Sequence, residues 1–281
     1  MPDNSPALVK LISRLTELDP RFVRNVQQDA SEFLLNLFRY FEKSAVFRNP
    51  FCFDLTTTIE CSHCCTRSSH SETHYLLNVP ITDPKSDNQL CRLLDTVCQI
   101  EHLTDYHCDI CKTNAQMKVS FLSLSSNFLI CLKRTPATKN TAVIFDEVLY
   151  LTKYVSQNNT SFDYDLSAVI THLGDSLDQG HYICYRKNLL TGGWFMVDDA
   201  RVMPCETGRV MRQQKTAYML FYTRKNEQSP VVPSENAETS NEDDITKSDR
   251  EVKLFFHPGK NVREPQKRWG VCDAFGSPSA P

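Results

Sequence analysis

Two short cysteine pairs, Cys61-Ser62-His63-Cys64 and Cys108-Asp109-Ile110-Cys111, place the strongest constraint on how this chain folds. At the Cys-x-x-Cys spacing a tight turn aims two thiolates at one tetrahedral ion, and a second such pair completes the coordination sphere. Residues 61–64 and 108–111 are therefore expected to meet in space, with Cys61, Cys64, Cys108 and Cys111 holding a zinc ion. Four thiolates leave no position for water or substrate, so that zinc would be structural. Cys65, His63 and His107 stand beside the ligands, and a Cys₃His set drawing on one of them is the alternative; the paired spacing favours Cys₄. Twelve cysteines would suit a disulfide scaffold in a short secreted chain. The start Met1-Pro2-Asp3-Asn4-Ser5 has no basic segment followed by an apolar run, so reduced thiols and metal ligation are the better reading.

A second constellation lies further along. Gly180-His181-Tyr182 opens one strand-like run and Trp194-Phe195-Met196-Val197-Asp198-Asp199 closes the next. An imidazole and a carboxylate at the ends of adjacent strands are two of the three groups of a cysteine hydrolase, in which the imidazole takes a thiol's proton and the carboxylate fixes its tautomer. Taken singly, His181 reads as a histidine that ends a strand and Asp198-Asp199 as a turn; together they favour catalysis. Only eight glycines occur in the chain, yet Gly174, Gly180, Gly192, Gly193 and Gly208 cluster around this stretch, as a site built on loops requires. The thiol has no candidate. Cys184 lies three residues past His181 on the same strand, so alternation turns it to the opposite face, while Cys131 and Cys52 sit in apolar surroundings and read as core.

With 41% hydrophobic and 10% aromatic residues, a chain of this length can bury a large core. A net charge of −3 offers no basic field for nucleic acid. The longest apolar stretches, such as Phe128 to Leu132, are strand-sized, and no membrane partner is expected. The protein reads as soluble and intracellular, cytoplasmic and/or nuclear.

Ser5-Pro6 starts a helix in which Leu8, Leu11, Ile12, Leu15 and Leu18 share one face, and a second helix follows Gln27-Gln28-Asp29, with Phe33, Leu34, Leu37, Phe38 and Phe41 as its stripe. From Pro50 the pattern changes to strands: residues 51–60, 73–80 and 117–132, then 164–172, 181–187, 194–197 and 217–222. Past Arg224 acidic residues interleave with Ser, Asn, Thr and Pro, which reads as a disordered tail.

Three blocks together resemble the ubiquitin-specific proteases, the papain-like cysteine deubiquitinases. Gln27-Gln28-Asp29-Ala30-Ser31-Glu32-Phe33-Leu34 is similar to the family's helix start, with Ser31 where histidine is usual. The two cysteine knuckles followed by Phe128-Leu129-Ile130-Cys131-Leu132-Lys133-Arg134 resemble the zinc-bearing fingers and the strand leading to the palm. The stretch from Tyr164 through His172 and Gly180-His181-Tyr182 to Asp198-Asp199 resembles the family's histidine box. The departure is at the front: the family's Gly-Asn-Thr-Cys block precedes the Gln-Gln-Asp helix, and the 26 residues before Gln27 contain no cysteine.

The resemblance implies an α+β, papain-like ubiquitin-specific protease fold: a partial helical thumb over residues 1–50, zinc-bearing antiparallel β fingers leading into the palm over 51–135, a β-sheet palm over 136–225 and a disordered tail over 226–281. It implies ubiquitin and ubiquitinated proteins as partners, and thiol-dependent release of ubiquitin from conjugates as the complete activity. In that reading His181 is the general base, Asp198 its orienting carboxylate and Asp199 part of the polar network at the oxyanion site. Asp29 and Glu32 face the arginine-bearing tail of ubiquitin, though a helix start favoured by the macrodipole explains them nearly as well. Gly180 and Tyr182 border the groove for the Gly-Gly terminus. As it stands the chain is expected to be inactive alone. The competing readings are a non-catalytic ubiquitin-binding scaffold and a zinc-stabilised interaction domain unrelated to ubiquitin.

Overall fold

The computed structural model describes residues 6–225 apart from residues 24–25, 45–46, 82, 86–87, 157–160, 175 and 178. The tail expected after Arg224 therefore lies outside the described residues. The helical part consists of α1 (Pro6–Ser13), α2 (Leu15–Leu18) and α3 (Ala30–Glu42). The apolar spacing predicts one helix through Leu18, but the chain breaks at Arg14, which leaves helical geometry at φ −116° and ψ 13°. Ser13 Oγ donates back to the Lys10 carbonyl at 2.8 Å, a local bond that competes with helix continuation. In α3 the cap is Asp29, whose carboxylate accepts the Glu32 N–H at 2.9 Å.

Then follow β1 (Phe53–Cys61), β2 (Arg67–His74), β3 (Leu77–Pro80), β4 (Asn88–Gln89), α4 (Leu90–Cys98), β5 (Glu101–His107), β6 (Asn114–Leu124) and β7 (Asn127–Lys133). After them come β8 (Val143–Ile144), β9 (Val148–Tyr150), β10 (Asp163–Leu173), β11 (His181–Lys187), β12 (Trp194–Asp198), β13 (Arg201–Cys205), α5 (Thr207–Met211) and β14 (Ala217–Arg224). Two sheets dominate. A four-stranded antiparallel sheet has the order β2-β1-β6-β5, and an eight-stranded sheet has the order β13-β12-β11-β10-β14-β7-β3, with β9 paired to β10. The larger sheet is antiparallel except where β3 runs parallel to β7.

Strand β7 shows how sequence sets position. Residues 128–132 are all buried, so it is covered on both faces. Alternation sends Phe128, Ile130 and Leu132 into the main core, and Leu129 and Cys131 to the side on which Leu34 and Leu35 of α3 pack. Phe53, Phe121 and Phe128 form a mutual triangle with ring centroids 5.2–5.7 Å apart, joining β1 and β6 of the smaller sheet to β7 of the larger. The two sheets thus share one core and hold each other in place.

Candidate active site and metal centre

The smaller sheet brings the cysteine pairs together. Strands β1 and β6 pair along their length, with Cys61 opposite Ala115, so the β1–β2 turn and the β5–β6 turn emerge at the same end. Sγ of Cys61 lies 3.4 Å from that of Cys111, Cys64 lies 3.5 Å from Cys108, and Cys111 lies 3.6 Å from Cys64. A tetrahedral ion with metal–sulfur bonds near 2.3 Å separates its sulfurs by about 3.8 Å, so the four thiols fit one metal ion.

Each pair sits in the same local turn. Cys65 N donates to Cys61 O at 3.2 Å and Lys112 N to Cys108 O at 2.9 Å, and both residues adopt positive φ, 56° and 59°. Two residues after the second cysteine of each pair stands a threonine: Thr66 Oγ1 is 3.1 Å from Cys64 Sγ, and Thr113 Oγ1 is 2.9 Å from Cys111 Sγ and 3.2 Å from Cys61 Sγ. The Thr113 hydroxyl, helped by the amides of Cys64 and His63, lowers the Cys61 thiol to about 5, which favours the thiolate a metal needs. The threonines are legible as a repeated Cys-x-x-Cys-x-Thr motif, a signal that the cysteine spacing alone overlooks.

The larger sheet builds the second site. Strands β11 and β12 pair with Cys184 opposite Val197, which brings the start of one strand beside the end of the other. His181 Nε2 lies 2.6 Å from Asp198 Oδ1, and the imidazole remains 47% exposed. Asp198 pairs with Arg201 across the tight turn to β13, and Asp199 takes the positive φ of 49° that such a short turn needs. His181, Asp198 and Asp199 offer ligating atoms within 4.8 Å of one another. The hydrogen bond that His181 makes to the Asp198 carboxylate raises the His181 pKa, with the negative charge of Asp199 adding to it. With Nε2–H donated to the carboxylate, Nδ1 is the nitrogen free to accept a proton. Among the described residues no thiol hydrogen-bonds to His181. Cys184, half-buried on β11, has its thiol pushed up by burial.

Asp29 is the cap of α3 and not one of its helical residues. Its carboxylate accepts from the Ser31 hydroxyl at 2.6 Å and from Tyr218 Oη. Burial pushes the Asp29 carboxyl up, but the hydrogen bonds from Ser31, Tyr218 and the Glu32 amide outweigh it and leave its pKa lowered. Glu32 turns outward and pairs with Arg21. The Tyr182 ring lies tilted against that of His172 with centroids 4.9 Å apart, and its hydroxyl accepts the Ala30 amide at 3.4 Å. A cavity of about 360 Å³ beside it is lined by Gln27, Gln28, Asp29, His172, Leu177, Gly180 and Tyr182. Glycine is the only residue type that fits at position 180: a Cβ there would lie 2.2 Å from His172 Nε2 and 2.5 Å from the Leu173 carbonyl oxygen. Sequence reasoning assigns no role to Gln27 or Tyr218, whose partners lie more than 150 residues away.

Comparison with known proteins agrees with this geometry. A family model described as ubiquitin carboxyl-terminal hydrolase matches residues 5–222. Human ubiquitin carboxyl-terminal hydrolase 17 is 35% identical over 176 residues, covering 60% of this chain and 33% of its own length. Ubiquitin carboxyl-terminal hydrolase 9 of Saccharomyces cerevisiae is 30% identical over 261 residues, covering 78% of this chain and 34% of its own. The chain thus spans about a third of the length of these relatives. Among solved structures, a chain of the SAGA DUB module Ubp8/Sgf11/Sus1/Sgf73 bound to monoubiquitin superposes with a TM-score of 0.69 at 23% identity, covering 79% of this chain and 54% of that one. At that identity the likeness speaks for the fold, which is the expected α+β arrangement with largely antiparallel sheets. No described helix is long and apolar enough to cross a membrane. On the match of the family model over most of its length, the chain belongs to the ubiquitin carboxyl-terminal hydrolase family.

Proposed function

We propose that this chain supplies the imidazole–carboxylate pair and the ubiquitin-gripping surface of a thiol-dependent ubiquitin hydrolase. The observation that carries the reading is the 2.6 Å contact of His181 Nε2 with Asp198 on an imidazole that is open to solvent. A histidine held this way is oriented and still accessible to a reacting group.

In the complete reaction Nδ1 of His181 takes the proton of a cysteine thiol, and the thiolate attacks the carbonyl carbon of ubiquitin's terminal glycine. The tetrahedral intermediate collapses as the imidazolium returns its proton to the departing lysine amine. Water, deprotonated by the same imidazole, then cleaves the thioester and regenerates the thiol. Asp198 keeps the imidazole in one tautomer throughout, and Asp199 supports the polar surroundings of the developing oxyanion. Asp29, Glu32, Gly180 and Tyr182 border the path of the ubiquitin tail. The nucleophile belongs to a block that in the family precedes the segment matching Gln27-Gln28-Asp29, while residues 1–26 contain no cysteine. Cys61, Cys64, Cys108 and Cys111 hold a structural zinc that fixes the end of the smaller sheet against the ubiquitin body.

A second reading is a non-catalytic ubiquitin-binding scaffold, for which the observation is that, among the described residues, Asp198 and no thiol is hydrogen-bonded to His181. Ubiquitin titrated into the 281-residue chain tests what both readings share: saturable binding is expected, and its absence would overturn both. Extending the chain in frame with a family-like Gly-Asn-Thr-Cys segment ahead of Met1 separates them. Covalent capture by an electrophilic ubiquitin probe, lost in His181→Ala, supports the hydrolase; no capture at full ubiquitin binding supports the scaffold.

A further inference from the structure

Gly180, the residue immediately before His181, has both of its backbone polar groups engaged by one side chain. Gln27 Nε2 donates to the Gly180 carbonyl at 3.1 Å, and the Gly180 N–H donates to Gln27 Oε1 at 3.1 Å, closing a reciprocal ring across 153 residues of sequence. A carboxamide carries a donor and an acceptor side by side in this way, which an ionised carboxylate does not. The neighbouring Gln28 does something else: its Nε2 donates to the Arg21 carbonyl at 2.7 Å, within the segment between α2 and α3.

The ring acts where the imidazole has little other support. His181 begins β11 and is paired to β10 only at its last rung, opposite Leu173. Among the described residues its side chain has one hydrogen bond, to Asp198, and about half of it is exposed. Behind it Gly180 lies so close to His172 that no Cβ fits. Gln27, in the segment that precedes α3, holds Gly180 by both its N–H and its carbonyl.

We propose that Gln27 is a positioning residue, which through its paired hydrogen bonds to Gly180 sets the direction in which His181 presents its free Nδ1 to the nucleophile. This rests on the reading of His181 as the general base. The segment preceding α3 thereby becomes part of the catalytic geometry without touching substrate, and the helical lobe and the histidine strand are fixed as one unit. The charges facing the imidazole are those of Asp198 and Asp199, and Gln27 adds none, so its loss acts through orientation alone.

The test is made by NMR on the 281-residue chain with ¹⁵N-labelled histidine. Gln27→Ala and the near-isosteric Gln27→Met both remove the ring, the latter while keeping the space filled. Either variant is expected to speed Gly180 amide exchange roughly tenfold, the worth of one lost hydrogen bond. It is also expected to move the neutral His181 ring from the single Nε2–H tautomer toward a mixture, and to lower its titration midpoint as contact with Asp198 becomes less populated. Gln28→Ala should leave all three signals at wild-type values. A His181 tautomer and midpoint unchanged in Gln27→Met would overturn the proposal, whether or not the melting temperature falls. These signals do not depend on ubiquitin cleavage. Failure of the extended protein to hydrolyse ubiquitin would overturn the reading of His181 as base, while unchanged His181 signals beside intact hydrolysis would overturn only the role of Gln27.

Discussion

Cys65 and Lys112 occupy the same place in two copies of one turn, each one residue past the second cysteine of its pair and each in left-handed backbone, at φ 56° and 59°. Side chains with a Cβ reach that region at a cost of about 1 kcal/mol, which glycine avoids. The turn itself is fixed by amide bonds to Cys61 O and Cys108 O, which hold the strain in place. Lys112→Gly is expected to raise stability by up to about 1 kcal/mol, after allowance for the freedom glycine adds to the unfolded chain, with the metal content unchanged. Thermal unfolding beside elemental analysis checks it; a lower melting temperature at full metal occupancy would count against the strain.

The four thiols predict about one equivalent of zinc in the purified chain. Cys111→Ser should abolish it and unfold at least the smaller sheet, since structural zinc sites supply on the order of 10 kcal/mol of folding free energy. Well-folded protein without zinc by elemental analysis would refute the assignment.

Gly180→Ala should destabilise the chain by about 1–3 kcal/mol, the usual cost of forcing an extra methyl into a closed space. The clash at 2.5 Å is with the Leu173 carbonyl, which the β10 strand holds, and His172 is itself packed against Tyr182. Denaturant melts of the variant at neutral pH give the number; wild-type stability would mean that the loop opens at little cost.

Much of this arrangement is legible in the order of the residues. Strand β11 begins and ends where its alternating residues and the preceding Gly180 place it, and the cysteine spacing alone requires that the two turns meet. Helix α3 is legible because its stripe is long and its cap is a carboxylate with an amide three residues on. Other parts carry no local signal. Strand β13 is an edge whose first four residues are exposed, so it lacks the alternation that marks a half-buried strand. Helix α4 is nine residues between strands, too short for its periodicity to stand out. The partners of Gln27 and Tyr218 follow from tertiary packing and are written nowhere near them in sequence.

The bond to Asp198 makes a pH-dependent contribution of definite sign. Because the fold raises the His181 pKa above the ordinary 6.5, the stabilisation is complete below that value and is lost as pH rises through the folded-state midpoint. With side chains 47% and 31% exposed, it is worth less than about 1 kcal/mol. Asp198→Asn should lower the His181 midpoint and flatten the difference in stability between pH 5 and pH 8. An NMR titration that finds the same midpoint in both proteins would mean that Asp198 does not hold the imidazole in solution.

Whether His181 acts as the base of a ubiquitin hydrolase is measured most directly by hydrolysis of a fluorogenic ubiquitin substrate. The 281-residue chain should show no turnover, and the same chain extended by a family-like nucleophile segment should show it. In the extended protein His181→Ala should abolish turnover and Asp198→Ala should lower it by up to about 10⁴-fold, through loss of imidazole orientation. Turnover that survives His181→Ala would contradict this role, as would robust cleavage by the 281-residue chain that disappears when one of its own cysteines is changed to alanine.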